Sequence, residues 1–249
     1  MGRAESLNRE WGQLAAAWIK EAREGRNASR KGLLDGPLID ACGDVSGLRI
    51  LDCGCGEGRF CRILADRDAA YVLGVDLCEP MIVAARERQG ERDAYAVGDV
   101  QNLNFLEDAS FDLTVSYLNQ CDLPDFRSNT DEVFRVLKPG GRFIIVNIHP
   151  MHSADGAWSK AADGTKQHLV LDRYFDQSER KWQTMAYEVT NFHRTLSTYT
   201  RAYRESGFAI EELIEPMPGD RVLDLYPELE DERRVPNFII FVLKKPQRS

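Results

Sequence analysis

Five short apolar runs alternate with helical stretches between residues 48 and 148, and this alternation restricts the fold more than any other feature of the chain. The runs are 48–52 (LRILD), 71–76 (YVLGVD), 94–97, 111–117 (FDLTVSY) and 142–148 (RFIIVNI). Between them, 59–66 sets Phe60, Ile63 and Leu64 on one helical face, 80–88 opens on Pro80, and 131–137 is stopped by Lys138-Pro139-Gly140-Gly141. Strands joined by helices at this spacing build βαβ units and a parallel sheet. Unbroken apolar strands such as FIIVNI suit burial on both faces.

The flanks differ. In 8–24, Trp11, Leu14, Ala15, Trp18 and Ile19 recur at three and four, which predicts an amphipathic helix stopped at Gly25. Its tryptophans either dock the helix on the domain or roof a ligand. A second short helix is expected over 33–41. After Pro150 the alternation ceases. A polar loop (151–166) precedes two strand-like runs, 168–175 and 182–192, around a turn at 176–181. The segment carries Trp158, Tyr174, Phe175, Trp182, Tyr187 and Phe192, so Tyr174 and Trp182 either pair across a hairpin or wall an acceptor pocket. A helix over 195–206 ends at Gly207, and strands at 208–214 and 238–243 close the chain.

A chain of 249 residues, 43% hydrophobic and 29% charged, fits one large soluble α/β domain. A net charge of −8 speaks against a nucleic-acid partner, which usually meets a basic face. No apolar run reaches the roughly 18–20 residues that span a bilayer. The first ten residues lack the apolar stretch of a secretory signal. The expectation is therefore a cytoplasmic protein without a membrane partner. The six cysteines form no disulfide framework. Cys53 and Cys55 have no second pair at metal-ligand spacing, so they read as small buried residues and no metal is expected.

The most informative stretch is Leu51-Asp52-Cys53-Gly54-Cys55-Gly56-Glu57-Gly58-Arg59-Phe60, which leaves a strand and opens a helix. Glycines there let a ligand approach the backbone at the carboxyl edge of the sheet. The loop has no Gly-Lys followed by Ser or Thr, so it is not a phosphate-binding P-loop. Arg59 stands where a dinucleotide loop needs its third glycine or alanine. Asp76 ends the second strand, where an acid can bind ribose hydroxyls, and Asp99 follows the third. Each aspartate alone could be a cap or turn residue. Together the three strand-end acids repel a pyrophosphate and suit a ligand carrying an amine and a sulfonium.

The ordered motifs ILDCGCGEG, GVDLCEPMI, VGDVQNL, FDLTVSYLNQCDL and RVLKPGGRFII resemble those of the class I S-adenosylmethionine-dependent methyltransferases, from about residue 45 to the C-terminus. The resemblance implies an α/β fold: a doubly wound, mostly parallel seven-stranded sheet in the order 3-2-1-4-5-7-6 with strand 7 antiparallel. It also implies an N-terminal helical cap (1–44) and a methyltransferase domain (45–249) carrying a substrate lid after strand 5 (151–193). By the same resemblance Gly54, Cys55, Gly56 and Gly58 cradle the methionine part of S-adenosylmethionine, and Asp52 steers its ammonium. Asp76, with Leu77 beside it, takes the ribose hydroxyls, and Met81 packs near the adenine. Asp99 takes the adenine amino group, with Val100 beside it. Ser116 and Tyr117 line the methyl side. The product would be S-adenosylhomocysteine, and the protein would be a monomer or a homodimer.

A base is needed only where the acceptor sheds a proton. His149, at the end of the fifth strand, Tyr117 and His193 are the candidates. Their alternatives are a turn residue for His149 and a helix cap or core residue for His193. His152 and His168 read as solvated loop residues, and Asp122 could touch the acceptor. The leading expectation is methyl transfer to O or N of a small molecule, as in secondary metabolism. A tRNA or protein methyltransferase would use Arg194, Arg201 and Arg204 as a basic rim. A catalytically silent S-adenosylmethionine-binding or scaffold protein is the reading from another class.

Overall fold

The computed structural model describes residues 3–247. The chain opens with helix α1 (Arg3–Glu24), one π-helical turn (Ser29–Leu34) and α2 (Asp35–Cys42). Two βα steps and a third strand follow: β1 (Arg49–Cys53), α3 (Arg59–Ala65), β2 (Tyr71–Asp76), α4 (Glu79–Arg86) and β3 (Asp93–Val97). Then come β4 (Phe111–Tyr117), a 3-10 turn (Gln120–Asp122), α5 (Phe126–Val136) and β5 (Leu137–Ile148). The segment after β5 holds α6 (Pro150–Ser153) and two hairpins, β6 (Gly156–Lys160) with β7 (Lys166–Leu171) and β8 (Glu179–Thr184) with β9 (Tyr187–Phe192). The chain ends with α7 (Leu196–Glu205), β10 (Ala209–Ile214), α8 (Asp220–Leu225), a 3-10 stretch (Pro227–Arg233) and β11 (Phe238–Lys244).

The main sheet runs β10-β11-β5-β4-β1-β2-β3. β1 to β5 are mutually parallel, and β11 is antiparallel to both neighbours. This is the expected order and polarity, with β10 and β11 as the sixth and seventh strands. Period-two alternation makes two cores. Ile50, Val115, Ile144 and Ile240 face α2, α3 and α4, whereas Leu51, Phe143, Ile145 and Phe241 face α5 and α7. Because β1 to β5 are parallel, their carboxyl ends share one edge, and that edge carries the cavity described below.

Several local expectations differ from the structure. The helix placed at 131–137 begins at Phe126, since the Asp125 side chain accepts from the Ser128 N–H at 3.1 Å and caps it. The Lys138-Pro139-Gly140-Gly141 stretch is not a loop but the first part of β5, taken up by a register shift between Phe111 and Leu113 of β4. The turn expected at 176–181 lies instead at Met185-Ala186, both in the left-handed region (φ 49° and 67°). Neither residue carries the Asn-Gly signal of such a turn. Trp182 accordingly pairs with Val189 rather than Tyr174.

Candidate active site

The glycine loop is tied to β2 before any ligand is considered. The Gly54 N–H donates to the Val75 carbonyl at 2.7 Å, and the Gly56 N–H donates to Asp76 Oδ2 at 2.8 Å. Asp76 Oδ1 accepts from the Cys78 N–H at 2.8 Å, at the entry to α4. Gly54 sits at φ 75°, and a Cβ there would lie 2.3 Å from Asn119 Cγ, so no other residue fits. Gly58 is demanded by a different neighbour: its Cβ would lie 2.5 Å from the Tyr95 ring. It therefore packs against Tyr95 and does not line the cavity.

A cavity of about 300 Å³ opens along this edge. At one end its wall comes from Asp52, Gly54, Cys55, Gly56, Asp76, Leu77, Met81, Asp99 and Val100. These residues fit an adenosyl-methionine ligand on several counts. Asp52 is 1% exposed; among the described residues its Oδ1 has no partner and its Oδ2 takes only the Cys61 thiol at 3.2 Å. Burial pushes the Asp52 carboxyl up to about 6, which an ammonium beside it would reverse. Asn119 Oδ1 is a second buried acceptor on this wall without a donor among the described residues. Asp99 is aimed by Gln101, whose backbone N–H and side-chain amide both donate to Oδ1, at 2.9 and 3.0 Å.

The N-terminal segment forms the roof. Trp11 and Trp18, edge to face at 5.4 Å, dock the helix on Cys78 and Met81 and also line the cavity. Arg30 lies against the Trp18 ring at 5.1 Å and the Tyr117 ring at 4.7 Å. Its guanidinium faces the cavity and makes no hydrogen bond or ion pair with any described residue, while its backbone N–H donates to Asn27 Oδ1 at 2.9 Å. Its neighbour Arg59 differs, gripping Asp35 through two bonds of 2.8 and 2.7 Å. Sequence reading missed Arg30, because nothing local distinguishes it from any surface arginine near a helix start.

The other end of the cavity is built by the turn after β4, the end of β5 and the second hairpin: Asp122, Leu123, Pro124, Ile148, His152, Trp182, Val189, Asn191 and Phe238. Of the six aromatic residues in 151–193, only Trp182 reaches the wall. The first hairpin leans the other way, with Trp158 under the Arg234 guanidinium at 4.5 Å. The second hairpin is pinned to α1, where the Glu10 carboxylate accepts from the Thr190 N–H at 3.0 Å.

The predicted bases fall differently. Tyr117 lines the cavity, but its hydroxyl donates to Asp35 Oδ1 at 3.0 Å and burial drives its pKa upward, so the phenol stays protonated. His149 does not line the cavity. Its Nδ1 accepts from the Met151 N–H at 3.1 Å and its Nε2 lies 3.0 Å from Glu215 Oε1. His193 is held at both ring nitrogens, by Ser153 Oγ at 2.7 Å and the Tyr174 carbonyl at 2.8 Å, and faces a separate shallow dent. Ser116 is wholly buried and reaches no cavity wall. The histidine that does line the cavity is His152, set edge-on to Trp182 at 5.3 Å. Arg194, expected on a basic rim, is buried and donates to the carbonyls of Gln120 and Pro124, both at 3.2 Å, and to that of Leu123.

Comparison with known proteins places this geometry. A family described as "Methyltransferase domain" matches residues 51–145. The chain is 35% identical to a crystal structure of an S-adenosylmethionine-dependent methyltransferase from Mesorhizobium loti, over 84% of this chain and 96% of that one, with a TM-score of 0.77. It is 29% identical to a demethylmenaquinone methyltransferase of Lactococcus lactis subsp. lactis, over 68% of this chain and 69% of the relative. A malonyl-[acyl-carrier protein] O-methyltransferase of Pectobacterium atrosepticum is 35% identical over about half of each chain. This chain belongs to the S-adenosylmethionine-dependent methyltransferases. It is an enzyme whose methyl donor is S-adenosylmethionine.

Proposed function

We propose that the enzyme methylates an O or N atom of a small, partly apolar molecule held between the turn after β4 and the second hairpin. The observation that carries this reading is the chamber itself: Leu123, Pro124, Trp182, Val189 and Phe238 enclose it, and α1 and the hairpin close over it. Such a space accepts a compact ligand rather than a polymer. Burial of Arg194 removes the first of the three arginines that a basic rim for RNA would need. The relative named for demethylmenaquinone supports a small acceptor. No described helix is long and apolar enough to cross a membrane.

S-adenosylmethionine supplies a methyl group on a sulfonium sulfur, which keeps the C–S electron pair when the group leaves. In this reading Asp52 and the loop Gly54-Cys55-Gly56 hold the ammonium end, and Arg30 takes the carboxylate. Asp76 with Leu77 takes the ribose, while Asp99, Val100 and Met81 hold the adenine. The hairpin at 179–192 acts as the lid proper, and the helices before residue 45 as the cap. Alignment and exclusion of water can supply roughly 7–11 kcal/mol of the barrier. The test is a screen of phenols, amines, quinols and carboxylic acids that follows S-adenosylhomocysteine release, with Asp76→Ala as control. Turnover of a small acceptor, lost in the variant, is the expected result. Turnover only with RNA or protein would refute the reading.

A further inference from the structure

One acid on the cavity wall has no part in holding the methyl donor. Asp122 ends the 3-10 turn after β4, is 8% exposed and lies at the acceptor end. Its Oδ1 takes the side-chain amide of Asn191, from the lid strand β9, and lies 3.6 Å from the Cys121 sulfur. Its Oδ2 accepts from no described residue. The turn that carries it is fixed from below: Gln120 is fully buried, with its amide donating to Asn129 at 2.9 Å and its oxygen accepting from the Tyr203 hydroxyl at 2.9 Å. Arg194 clamps the carbonyls on either side. A carboxylate held this firmly at the edge of an apolar chamber is placed to meet a reacting group.

We propose that Asp122 is the base of the reaction, taking on Oδ2 the proton that the acceptor sheds, and that Asn191 is its positioning residue, present only when the lid hairpin is seated. This rests on the small-molecule reading above. The acceptor's O or N atom forms the bond to the methyl carbon with its own lone pair, and its bond to hydrogen breaks with the electron pair staying on that atom. The proton passes to Asp122, which becomes neutral and returns it to solvent after the product leaves.

The surroundings suit the task. Burial raises the Asp122 carboxyl to about 7, Cys121 and Asn191 oppose the rise by hydrogen bonding, Asp76 adds to it and Arg30 opposes it. Tyr199 and Arg194 stand behind Cys121, and His152 shares the wall. A base is most effective when it titrates near the working pH. The competing histidines at 149 and 193 have their ring nitrogens engaged, and Tyr117 keeps its proton.

The test uses the full chain with S-adenosylhomocysteine bound. Infrared difference spectra of wild type against Asp122→Asn are expected to contain a carboxyl band that titrates near 7 and is missing from the variant. Single-turnover transfer to an acceptor found by the screen, followed between about pH 5 and 9, should rise to a plateau with the same midpoint. Asp122→Asn should lower the plateau about 10²- to 10⁴-fold and abolish the rise while still binding S-adenosylhomocysteine. Asn191→Ala should move the midpoint upward. A carboxyl that titrates near 4, or a variant within tenfold of wild type that keeps the pH limb, overturns the proposal. If no small acceptor is turned over, the functional reading fails while the infrared midpoint still decides Asp122.

Discussion

The two ends of the cavity are assembled in different ways. At the donor end the bonds are local: Asp76 and Gly56 are 20 residues apart, and the loop, Asp52 and Asp76 all belong to the β1-α3-β2 unit. At the acceptor end the chain must return from far away. Glu10 meets Thr190 across 180 residues, Asn191 meets Asp122 across 69, and Arg194 reaches Gln120 across 74. The donor end is held by backbone amides on a carboxylate, the acceptor end by side-chain bonds between elements distant in sequence. The first arrangement is rigid by construction. The second can be changed one residue at a time, which is how one cofactor site comes to serve different acceptors.

Experiments that damage one end and spare the other test this contrast. The largest effect is expected from Asp76→Ala, which removes the carboxylate that orders both the glycine loop and the α4 entry. Losing two or more charge-assisted bonds should weaken S-adenosylhomocysteine binding about 10²- to 10⁴-fold by calorimetry. A change of less than tenfold would mean the loop is ordered by something else.

The next effect is on stability. Burial lifts Asp52 from 3.8 to about 6 and Asp122 from 3.8 to about 7. A carboxyl that holds its proton more tightly in the folded chain than in the unfolded one disfavours folding once ionised. The ligand-free protein should therefore lose stability as pH rises from about 4 to 7. Asp52→Asn should recover up to about 3 kcal/mol of that loss in urea melts at pH 8. Urea midpoints that do not change between wild type and variant would contradict the burial of an unpaired charge.

Arg30→Ala should weaken S-adenosylhomocysteine binding about 10- to 100-fold. It should leave 5′-methylthioadenosine, which has no carboxylate, bound as before. Equal losses for both ligands would show that Arg30 only supports the roof. The smallest effect is expected from Glu10→Ala, which frees the lid hairpin from α1. It should raise the acceptor KM about 3- to 10-fold and leave S-adenosylhomocysteine affinity unchanged. An effect on the donor alone would place the hairpin at the wrong end.

The donor end was largely legible beforehand, because its signals are short range. A glycine loop after an apolar strand, and acids at the next two strand ends, can be read without knowing what packs on them. The cavity wall includes Asp52, Gly54, Cys55, Gly56, Asp76, Leu77, Met81, Asp99 and Val100. Gly58 and Ser116 escaped because the same spacing serves packing against Tyr95 in one case and the interior of the sheet in the other. The acceptor end was legible only in part: the sequence marks Asp122 as a residue that could touch the acceptor but points to other residues as bases. His149 and His193 stand near strand and helix ends as a base would, yet their ring nitrogens are already engaged. Asp122 and Arg30 matter because of what surrounds them, not because of any local pattern. The aromatic run 151–193 looked like one wall, but two hairpins split it and turned most of its rings away.

The amino-acid order by itself determined the strand and helix succession over 48–148 and the glycine loop with its strand-end acids, since hydrophobic period and turn glycines act within a few residues, while the sheet order and the roles of the loop residues came from the resemblance to the methyltransferases. Only the tertiary structure decided which arginine guanidinium faces the cavity unpaired among the described residues, which histidine sees the cavity and which acid lines its far end. Those outcomes depend on burial and on partners tens to hundreds of residues distant, and a charge or hydrogen bond has no meaning for function until its partner is in place.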